Sequence, residues 1–487
     1  MPLPPLLRPL RDAPLRLLPL APLLSALAGC ASLALPPAPL AGRPADRPAA
    51  PPVWQAPVAP GPAAQLSAWW TQFDDPALSS LVEAAQSASP TVSAAGARIA
   101  QARAALTLTA ADAAPTVGLQ AGAQRTATPI GSPATTGFAL GAQAVWELDL
   151  FGAVRASGDA ARARLDAAQA GWHDARLAVA AEAGALYVRL RACEAQAELA
   201  LMDSRSREET ARLTQASERA GFRAPADAAL ARAAAAQGRL QAVEARAQCE
   251  RLLKAMVALT ALEEPALRTA LSLREGRLPE SAPPAVRTLP GDLLRQRPDL
   301  ARVEREARAL AADVAARRAE RLPRVSIAGQ LGAQHVRTGG ADASGAVWSI
   351  GPLTVSWPLL DGGRRDAAEA AALAAWEDGR RQWAAALRSA VREVEDALVR
   401  LDAVERRRDD VGRATRDFET VLMATQARWR GGLASQFELE EARRNALAAK
   451  AVEIDWRRER LDASIALYRA LGGGWDATPD TAPAAAR

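Results

Sequence analysis

Residues 115–124, PTVGLQAGAQ, and residues 323–334, PRVSIAGQLGAQ, open two copies of one pattern in this chain of 487 residues. In each copy a second β-like stretch, a tryptophan (Trp146 or Trp357) and a glycine turn follow. A long run rich in Ala, Arg, Glu and Leu comes next. Corresponding positions lie roughly 210 residues apart, so the sequence predicts a duplicated unit of one β-hairpin and long helices.

Each copy contains two strand candidates, residues 116–124 and 138–148 in the first and residues 324–336 and 346–357 in the second. Apolar residues alternate in the first three, as expected for membrane-spanning strands of about ten residues with one apolar face. Every backbone polar group inside lipid must be paired, so a membrane sheet must close into a barrel. Known barrels start near eight strands. Four strands per chain therefore predict that several chains share one barrel.

The helical runs are unusually long. Residues 151–221 and residues 364–429 each predict a helix on the order of 100 Å in length. Glycines at Gly221 and Gly432 break the helical pattern, and we expect each run to turn back there as an antiparallel hairpin. Asp75, with a proline directly after it, predicts the start of an earlier helix.

The N-terminus predicts export. Residues 1–29 contain three arginines followed by an apolar run that is too short to span a membrane as a helix, as is typical of a signal peptide. The Leu-Ala-Gly-Cys sequence that ends at Cys30 resembles a bacterial lipobox. This resemblance implies that Cys30 becomes the lipidated first residue, and Ala31 implies delivery to the outer membrane. Residues 30–66 are rich in Pro and Ala and predict an extended tether.

The two remaining cysteines lie equally far in sequence on either side of Gly221, at Cys193 and Cys249. An antiparallel hairpin with its turn at Gly221 would place the two cysteines at the same height along its two arms. Two alternatives stay open. The thiols form a disulfide in an oxidising compartment, or they remain two buried free thiols, because sequence spacing does not fix the rotation of the helices.

Composition excludes several classes of protein. The net charge is only +5 despite a pI near 9.7, and the arginines alternate with acidic residues, which indicates a solvated surface and no nucleic-acid partner. Neither Lys254 nor Lys450 lies in a phosphate-binding loop motif, and His173 and His335 lie outside any cluster of metal ligands. We therefore expect a protein that is not an enzyme and has no cofactor besides the covalent lipid.

Five motifs occur in a fixed order. They are WTQFDDPAL at 70–78, WELDLFG at 146–152, LPGDLLRQRPDL at 289–300, WPLLDGGR at 357–364 and ALYRALGGGW at 466–475. Together they resemble the outer-membrane efflux factor family, the TolC-like channels, and within it the lipidated multidrug or NodT-type branch. The resemblance implies an α+β membrane protein and a homotrimer. Each chain would give four transmembrane β-strands to a shared 12-stranded barrel and its helices to a long periplasmic α-helical barrel.

The function implied by the resemblance is passive export of drugs or other small solutes through the bacterial outer membrane. A periplasmic adaptor (membrane fusion protein) and an inner-membrane pump of the resistance-nodulation-division type would supply docking and energy. Two alternatives stay open. One is the outer-membrane duct of a type I protein-secretion system. The other is a periplasmic coiled-coil scaffold that does not conduct.

The resemblance also implies a gate at the periplasmic helical tips. In the first copy Gly221 matches the tip glycine of the family, and Asp227 matches a pore-facing aspartate. The matching positions in the second copy are Trp429, Gly432, Glu438 and Glu441, where Trp429 replaces the usual tyrosine. For the acidic residues a solvated run of helical charge is the alternative.

These observations divide the chain into five segments. We expect a signal peptide at 1–29, a lipidated tether at 30–66, a first structural repeat at 67–280, a second structural repeat at 281–475 and a disordered tail at 476–487.

Overall fold

The computed structural model describes residues 49–58, 66–127, 129, 131–280, 283–284, 290–292 and 296–475. The predicted signal peptide, Cys30 and the predicted tail therefore lie outside the described residues. None of the helices in the described ranges is both long enough and apolar enough to cross a membrane.

Eight helices and four strands follow one another in the described part of the chain. They are α1 (Pro76–Ala88), α2 (Pro90–Asp112), β1 (Thr116–Thr126), β2 (Thr135–Leu148), α3 (Ala153–Arg219), α4 (Pro225–Thr260), α5 (Glu264–Ser272), α6 (Pro298–Ala319), β3 (Arg324–Thr338), β4 (Ala341–Ser356), α7 (Arg364–Arg430) and α8 (Gln436–Ala470). The duplication is visible in the element order and in the lengths, because α3 and α7 have 67 residues each. Short 3-10 helices occupy Leu66–Phe73 and Pro290–Asp292.

The predicted start of α1 at Asp75 is confirmed. Asp75 Oδ1 accepts hydrogen bonds from the backbone N–H groups of Ala77 (3.1 Å) and Leu78 (3.4 Å), as an N-cap residue does. Its Oδ2 accepts a hydrogen bond from the Tyr187 hydroxyl at 2.5 Å. Burial, and then this bond to a carboxylate, raise the pKa of Tyr187 to about 12. The cap of α1 is thereby joined to the middle of α3.

A buried arginine extends this connection. The Arg191 side chain is fully buried and its guanidinium lies over the Tyr187 ring, 4.9 Å from the centroid. It donates hydrogen bonds to Glu194 (2.8 Å) and to the Leu271 carbonyl (2.8 Å). A buried cation is tolerated only when it is paired and hydrogen-bonded. The paired Arg191 therefore ties α3 to α5.

Aromatic residues form the core at the middle of the long helices. Trp69 is fully buried and stacks on Tyr468 with the ring centroids 4.6 Å apart. Trp70 packs so close to α3 that a Cβ on Gly184 would lie 2.4 Å from its ring. Gly184 is thus a site of close packing between the N-terminal segment and α3. The motif at 70–78, together with Trp69 directly before it, is part of the core.

A second buried arginine explains the motif at 289–300. The side chain of Arg297 is 8% exposed and forms ion pairs with Asp299 and Glu393, at 2.6 and 2.7 Å. It also donates to the Ala470 carbonyl at 3.1 Å. Because Glu393 lies on α7 and Ala470 ends α8, Arg297 joins the start of α6 to both arms of the second hairpin.

The four strands form one antiparallel sheet in the order β1-β2-β3-β4. All four predicted strands are present. They extend two to five residues beyond the predicted ranges towards the hairpin turns, and the last strand ends one residue before the predicted end at 357. The poor alternation predicted for the last strand has a physical cause. A bulge shifts the β3–β4 register between Ile327 and Gly329, so that Ile350 and Leu353 project from the same face of β4.

The register gives the sheet two different faces. The apolar face carries Leu119, Leu140, Leu331, Trp348 and Ile350, and more than half of each of these side chains is exposed. The polar face carries small residues and glutamines. Within the four described strands its charged residues are Glu147 and Arg324, which lie 4.0 Å apart at the end next to the helices.

The long helices pack side by side as two hairpins. α3 lies against α4, α6 and α8, and α7 lies against α6 and α8. Residues 49–58, predicted as tether, also touch this body. The backbone N–H groups of Gln55 and Ala56 donate to the Glu395 carboxylate on α7, both at 2.7 Å. This part of the predicted tether is therefore docked on α7.

A disulfide connects the two arms of the first hairpin. Cys193 on α3 and Cys249 on α4 are bonded, with 5.6 Å between their Cα atoms. The sequence left open whether these cysteines form a disulfide or remain free thiols, and in the structure they form the disulfide. It closes a loop across 56 positions of sequence that includes the whole tip of the hairpin.

We expect a Cys193→Ala, Cys249→Ala double variant to unfold at a lower temperature, because a cross-link over a loop of this length restricts the unfolded chain by about 4 kcal/mol in the entropic model. Peptide mapping without reductant should recover the cross-linked peptide, and circular dichroism should report the shift in melting temperature. Free labelling of both thiols in the folded protein would contradict the bridge.

Candidate functional site: the helical tips

The two hairpins end in turns of the same construction. At the end of α3 the N–H of Phe222 bonds the Ser217 carbonyl (2.9 Å) and the N–H of Gly221 bonds the Glu218 carbonyl (2.9 Å). This is a Schellman motif, which requires a left-handed residue after the helix. Gly221 supplies it with φ of +78°.

The second tip repeats this turn. At the end of α7 the N–H of Leu433 bonds the Arg428 carbonyl at 2.8 Å, and the N–H of Gly432 bonds the Trp429 carbonyl at 3.0 Å. Gly432 has φ of +73°. The structure thus places both predicted tip glycines at the turns between the arms. Trp429 lies in the last turn of α7 with 37% of its surface exposed.

Asp227 lies in the first turn of α4, directly after the first tip. Its carboxylate is 49% exposed and stands 3.7 Å from the Arg223 guanidinium. The N-cap residue of α4, Ala224, provides no side-chain hydrogen bond. A helix N-terminus attracts negative charge, so Asp227 both favours the start of α4 and presents an accessible carboxylate at the tip.

Glu438 has a second role that the sequence analysis did not identify. It forms a capping box with Ser435, in which the Glu438 carboxylate accepts from the Ser435 N–H (2.7 Å) and the Ser435 hydroxyl accepts from the Glu438 N–H (3.2 Å). The Ser435 backbone bond is the main cause that lowers the pKa of Glu438 below its usual range. The carboxylate is therefore ionised at neutral pH, and it remains 48% exposed.

Glu441 lies on an exposed part of α8, three residues after Glu438. Residues three apart share one helical face, so Glu438 and Glu441 lie on the same face of α8. Within the described ranges the Glu441 side chain has no hydrogen bond or ion pair. The structure therefore brings Glu438 and Glu441 together on α8, while Asp227 stands on the tip of the other hairpin.

Glu440 points in a different direction, into the contact between α8 and α3. Its side chain is 6% exposed, accepts a hydrogen bond from the Ser206 hydroxyl at 2.7 Å and pairs with Arg443 at 2.8 Å. Arg443 also donates to the Ser206 oxygen at 2.6 Å. We call these three residues the Glu440 cluster. It is a buried polar link between the two hairpins, and its members lie between eight residues (Glu440 from Gly432) and fifteen residues (Ser206 from Gly221) from the turns.

Ser206 and Arg443 were not predicted from the sequence. Ser206 and its partner Glu440 are 234 positions apart in the sequence, so their contact cannot be read from local spacing. A serine within a long polar helix also carries no signal of its own. No group of three or more potential metal ligands was found in the described parts of the chain. The arrangement at the tips is one of paired and accessible charges beside glycine turns.

Comparison with known proteins matches this architecture. The family model for outer membrane efflux proteins matches residues 81–262 and 289–473. Outer membrane protein OprJ of Pseudomonas aeruginosa is 29% identical over 332 residues, which cover 68% of this chain and 69% of OprJ. The pyoverdine export outer membrane protein OpmQ of Pseudomonas putida is 27% identical over 453 residues, covering 89% of this chain and 94% of OpmQ.

A solved structure shows the same fold. The outer-membrane channel OprN superposes with a TM-score of 0.76 at 29% sequence identity, covering 88% of this chain and 98% of OprN. The fold class predicted from the sequence, long helices with four strands per chain, is confirmed. With two matched segments that fill well over half of the sequence, the chain belongs to the outer membrane efflux protein family and is an efflux channel of the bacterial outer membrane, with its helices in the periplasm.

Proposed function

We propose that three copies of this chain form one passive exit duct for drugs or other small solutes. The observation that carries the proposal is the sheet itself. It exposes a broad apolar face, and β1 and β4 are each paired on one side only. An open sheet edge is not stable within lipid, so the edges of neighbouring copies must pair. Three sheets of four strands give the 12-stranded barrel expected for this family.

The polar face of the sheet then lines the lumen. Between the Glu147–Arg324 pair and the outer hairpin turns, its residues in the four strands are Gly, Ala, Val, Ser, Thr and Gln. A neutral lining neither attracts nor repels ions strongly, so the barrel passes solutes without selecting their charge. Small-molecule cargo of this kind fits the relative OpmQ, which is named for pyoverdine export.

The energy must come from partners. The lysines lie outside any nucleotide-binding motif, and we propose that the chain is not an enzyme and needs no cofactor besides a lipid on Cys30. A periplasmic adaptor would dock at the tips, where Phe222, Leu433 and Phe437 are 84%, 73% and 67% exposed. Exposed apolar residues at one site are typical of an interaction surface. An inner-membrane pump of the resistance-nodulation-division type would supply the driving force.

The segment boundaries are part of the same proposal. The signal peptide at 1–29 would direct export, and the lipid on Cys30 would anchor the tether that precedes residue 67. The two repeats at 67–280 and 281–475 would form the duct, with the tail at 476–487 outside it.

The tips would form the gate. Asp227, Glu438 and Glu441 from three copies would place a group of carboxylates around one opening. Crowded negative charges raise the local concentration of cations. The Glu440 cluster, a few turns behind the tips, would hold the two hairpins of each copy together. Opening would then require the hairpins to separate at this buried link.

The acidic gate is tested by single-channel recording on an Asp227→Asn, Glu438→Gln, Glu441→Gln triple variant. Glutamine can still form the capping box, so the fold of the tip is retained. We expect the preference for cations to fall towards unity and the block by trivalent cations to weaken by about tenfold or more, as expected when fixed charges that focus cations are removed.

A control variant removes two carboxylates that lie far from the tips, on α7. The Asp409→Asn, Asp410→Asn variant lies roughly 30 Å from the tip along α7 and should keep the wild-type selectivity. If the triple variant selects and blocks like the wild type, these carboxylates do not line the gate.

The Glu440 cluster is tested by Ser206→Ala. The change removes the hydroxyl that bonds both Glu440 and Arg443, at a cost of about 1–3 kcal/mol for a hydrogen bond to a charged group. We expect a larger open probability of single channels and a lower melting temperature. Thr214→Ala is the control, since the Thr214 hydroxyl bonds only the Thr210 carbonyl of its own helix (2.8 Å) among the described residues. Equal gating of the two variants would contradict the proposed link.

Lipidation is tested by mass spectrometry of the purified protein. We expect a mature chain that begins at Cys30 and carries acyl groups on that residue. A Cys30→Ser variant should be poorly processed and mislocalised, while its strands can still pair because closure of the sheet does not involve the lipid. An unmodified chain that begins before residue 30 is the result that would refute the assignment.

A further inference from the structure

The apolar face of the sheet ends differently at its two ends. At the end next to the helices it carries Trp146 and Trp357. Their indole N–H groups donate to backbone carbonyls, Trp146 to Ala113 at 3.0 Å and Trp357 to Arg321 at 3.2 Å. Tryptophans at this position are typical of the boundary between lipid and water. In the four strands, the apolar face has no charged residue at this end.

The opposite end, next to the hairpin turns, is charged. The register pairs Arg125 with Thr136, Thr136 with Arg337, and Arg337 with Asp342. These four residues form one row across the apolar face, which we call the rim row. One step closer to the helices on the same face, the row changes to Ala123, Phe138, His335 and Ser344. The rim row is therefore the border at which the apolar surface ends.

The rim row carries a net positive charge. Arg337 forms a two-point ion pair with Asp342, with Nε 2.9 Å from Oδ1 and Nη2 3.2 Å from Oδ2. The negative charge of Asp342 would repel an anion, but the ion pair with Arg337 neutralises that charge. Because Arg125 is a second cation, the rim row has a net charge of +1.

The spacing of the row suits one anionic group. Adjacent strands lie about 4.8 Å apart, so the Cα atoms of Arg125 and Arg337 are separated by about 10 Å across Thr136. The Arg125 side chain can reach a phosphate over that distance and bind it with two parallel hydrogen bonds. Arg337, whose Nε and Nη2 donate to Asp342, can add a bond from Nη1. The Thr136 hydroxyl between the two arginines can donate a further bond.

We propose that the rim row binds the phosphate groups of the phosphorylated glycolipid in the outer leaflet of the outer membrane. The inference rests on the proposed barrel, which turns the apolar face to lipid and the hairpin turns to the cell exterior. The asymmetry of the face supports it. Tryptophans stand at the end that meets the inner leaflet, and arginines stand at the end that meets the outer leaflet, where the glycolipid carries its phosphates on a sugar headgroup.

The test measures lipid binding to the purified full-length protein by native mass spectrometry. The three probes are bisphosphorylated lipid A, the same lipid after removal of its phosphates, and phosphatidylglycerol. We expect the wild type to prefer the phosphorylated glycolipid over both others. Each arginine near a charged membrane surface contributes on the order of fivefold in affinity, so Arg125→Gln should reduce the preference severalfold and Arg125→Gln, Arg337→Gln should abolish it.

Two control variants make the result specific. Arg125→Lys, Arg337→Lys keeps both charges and should retain most of the preference. Arg324→Gln removes an arginine from the polar face at the other end of the sheet and should bind lipid like the wild type. Equal binding of the phosphorylated and dephosphorylated glycolipid to the wild type would overturn the proposal, and so would a preference that survives in the double glutamine variant.

The other outcomes are also decisive. Equal affinity for phosphatidylglycerol would show general attraction to anionic lipids and would refute a site for the glycolipid. Single-channel conductance of the double glutamine variant should match the wild type, because the rim row lies outside the lumen. If the wild-type protein conducts normally but shows no lipid preference, the lipid proposal fails and the proposed function stands. If the wild-type protein does not conduct, the barrel on which this inference rests is itself in question.

Discussion

The requirement that backbone N–H and C=O groups be paired inside lipid governs this molecule. One chain supplies a sheet of four strands in which β1 and β4 are each paired on one side. Such a sheet cannot close alone, so its edges must find strands of other copies. Assembly places the helices of several chains around one axis, because α3 and α7 follow directly from β2 and β4. The position of the tips opposite one another is thus a consequence of strand pairing at the far end of the molecule.

Charge is distributed along this tube in a consistent manner. The polar face of the strands is nearly neutral, and the rim row on the opposite face is positive. Accessible carboxylates are found at the tips, with Asp227, Glu438 and Glu441. A neutral lumen gives little discrimination among ions, so in the proposed duct the carboxylates at the tips would select them. Predicted cation selectivity at the tips and predicted lipid binding at the rim arise from separate groups of residues.

Most of the fold could be predicted from the sequence because its signals are local. Alternation of apolar residues marked three strands, and glycines marked both tips since a Schellman turn needs positive φ. The alternation failed in β4 for a physical reason, the bulge that places Ile350 and Leu353 on one face. The sequence spacing of Cys193 and Cys249 indicated that they lie at the same height along the hairpin. It left their pairing open, because the rotation of each helix about its axis depends on tertiary packing. The Glu440 cluster gave no local signal, since its members meet only after the two repeats have folded together.

The way the helices are held differs between their middle and their ends. At the middle, Arg191 and Arg297 are buried and paired, and aromatic side chains fill the core around Trp69. Towards the tips the hairpins are joined by the Glu440 cluster, and the contacts beyond it are partly exposed ion pairs such as Arg223 with Asp227. Exposed pairs contribute about 1 kcal/mol or less, whereas burial of large side chains contributes more. Local opening therefore costs least at the tips. A duct built in this way can move its tips while its middle stays fixed, and the buried link between α3 and α8 is the place where that movement meets resistance.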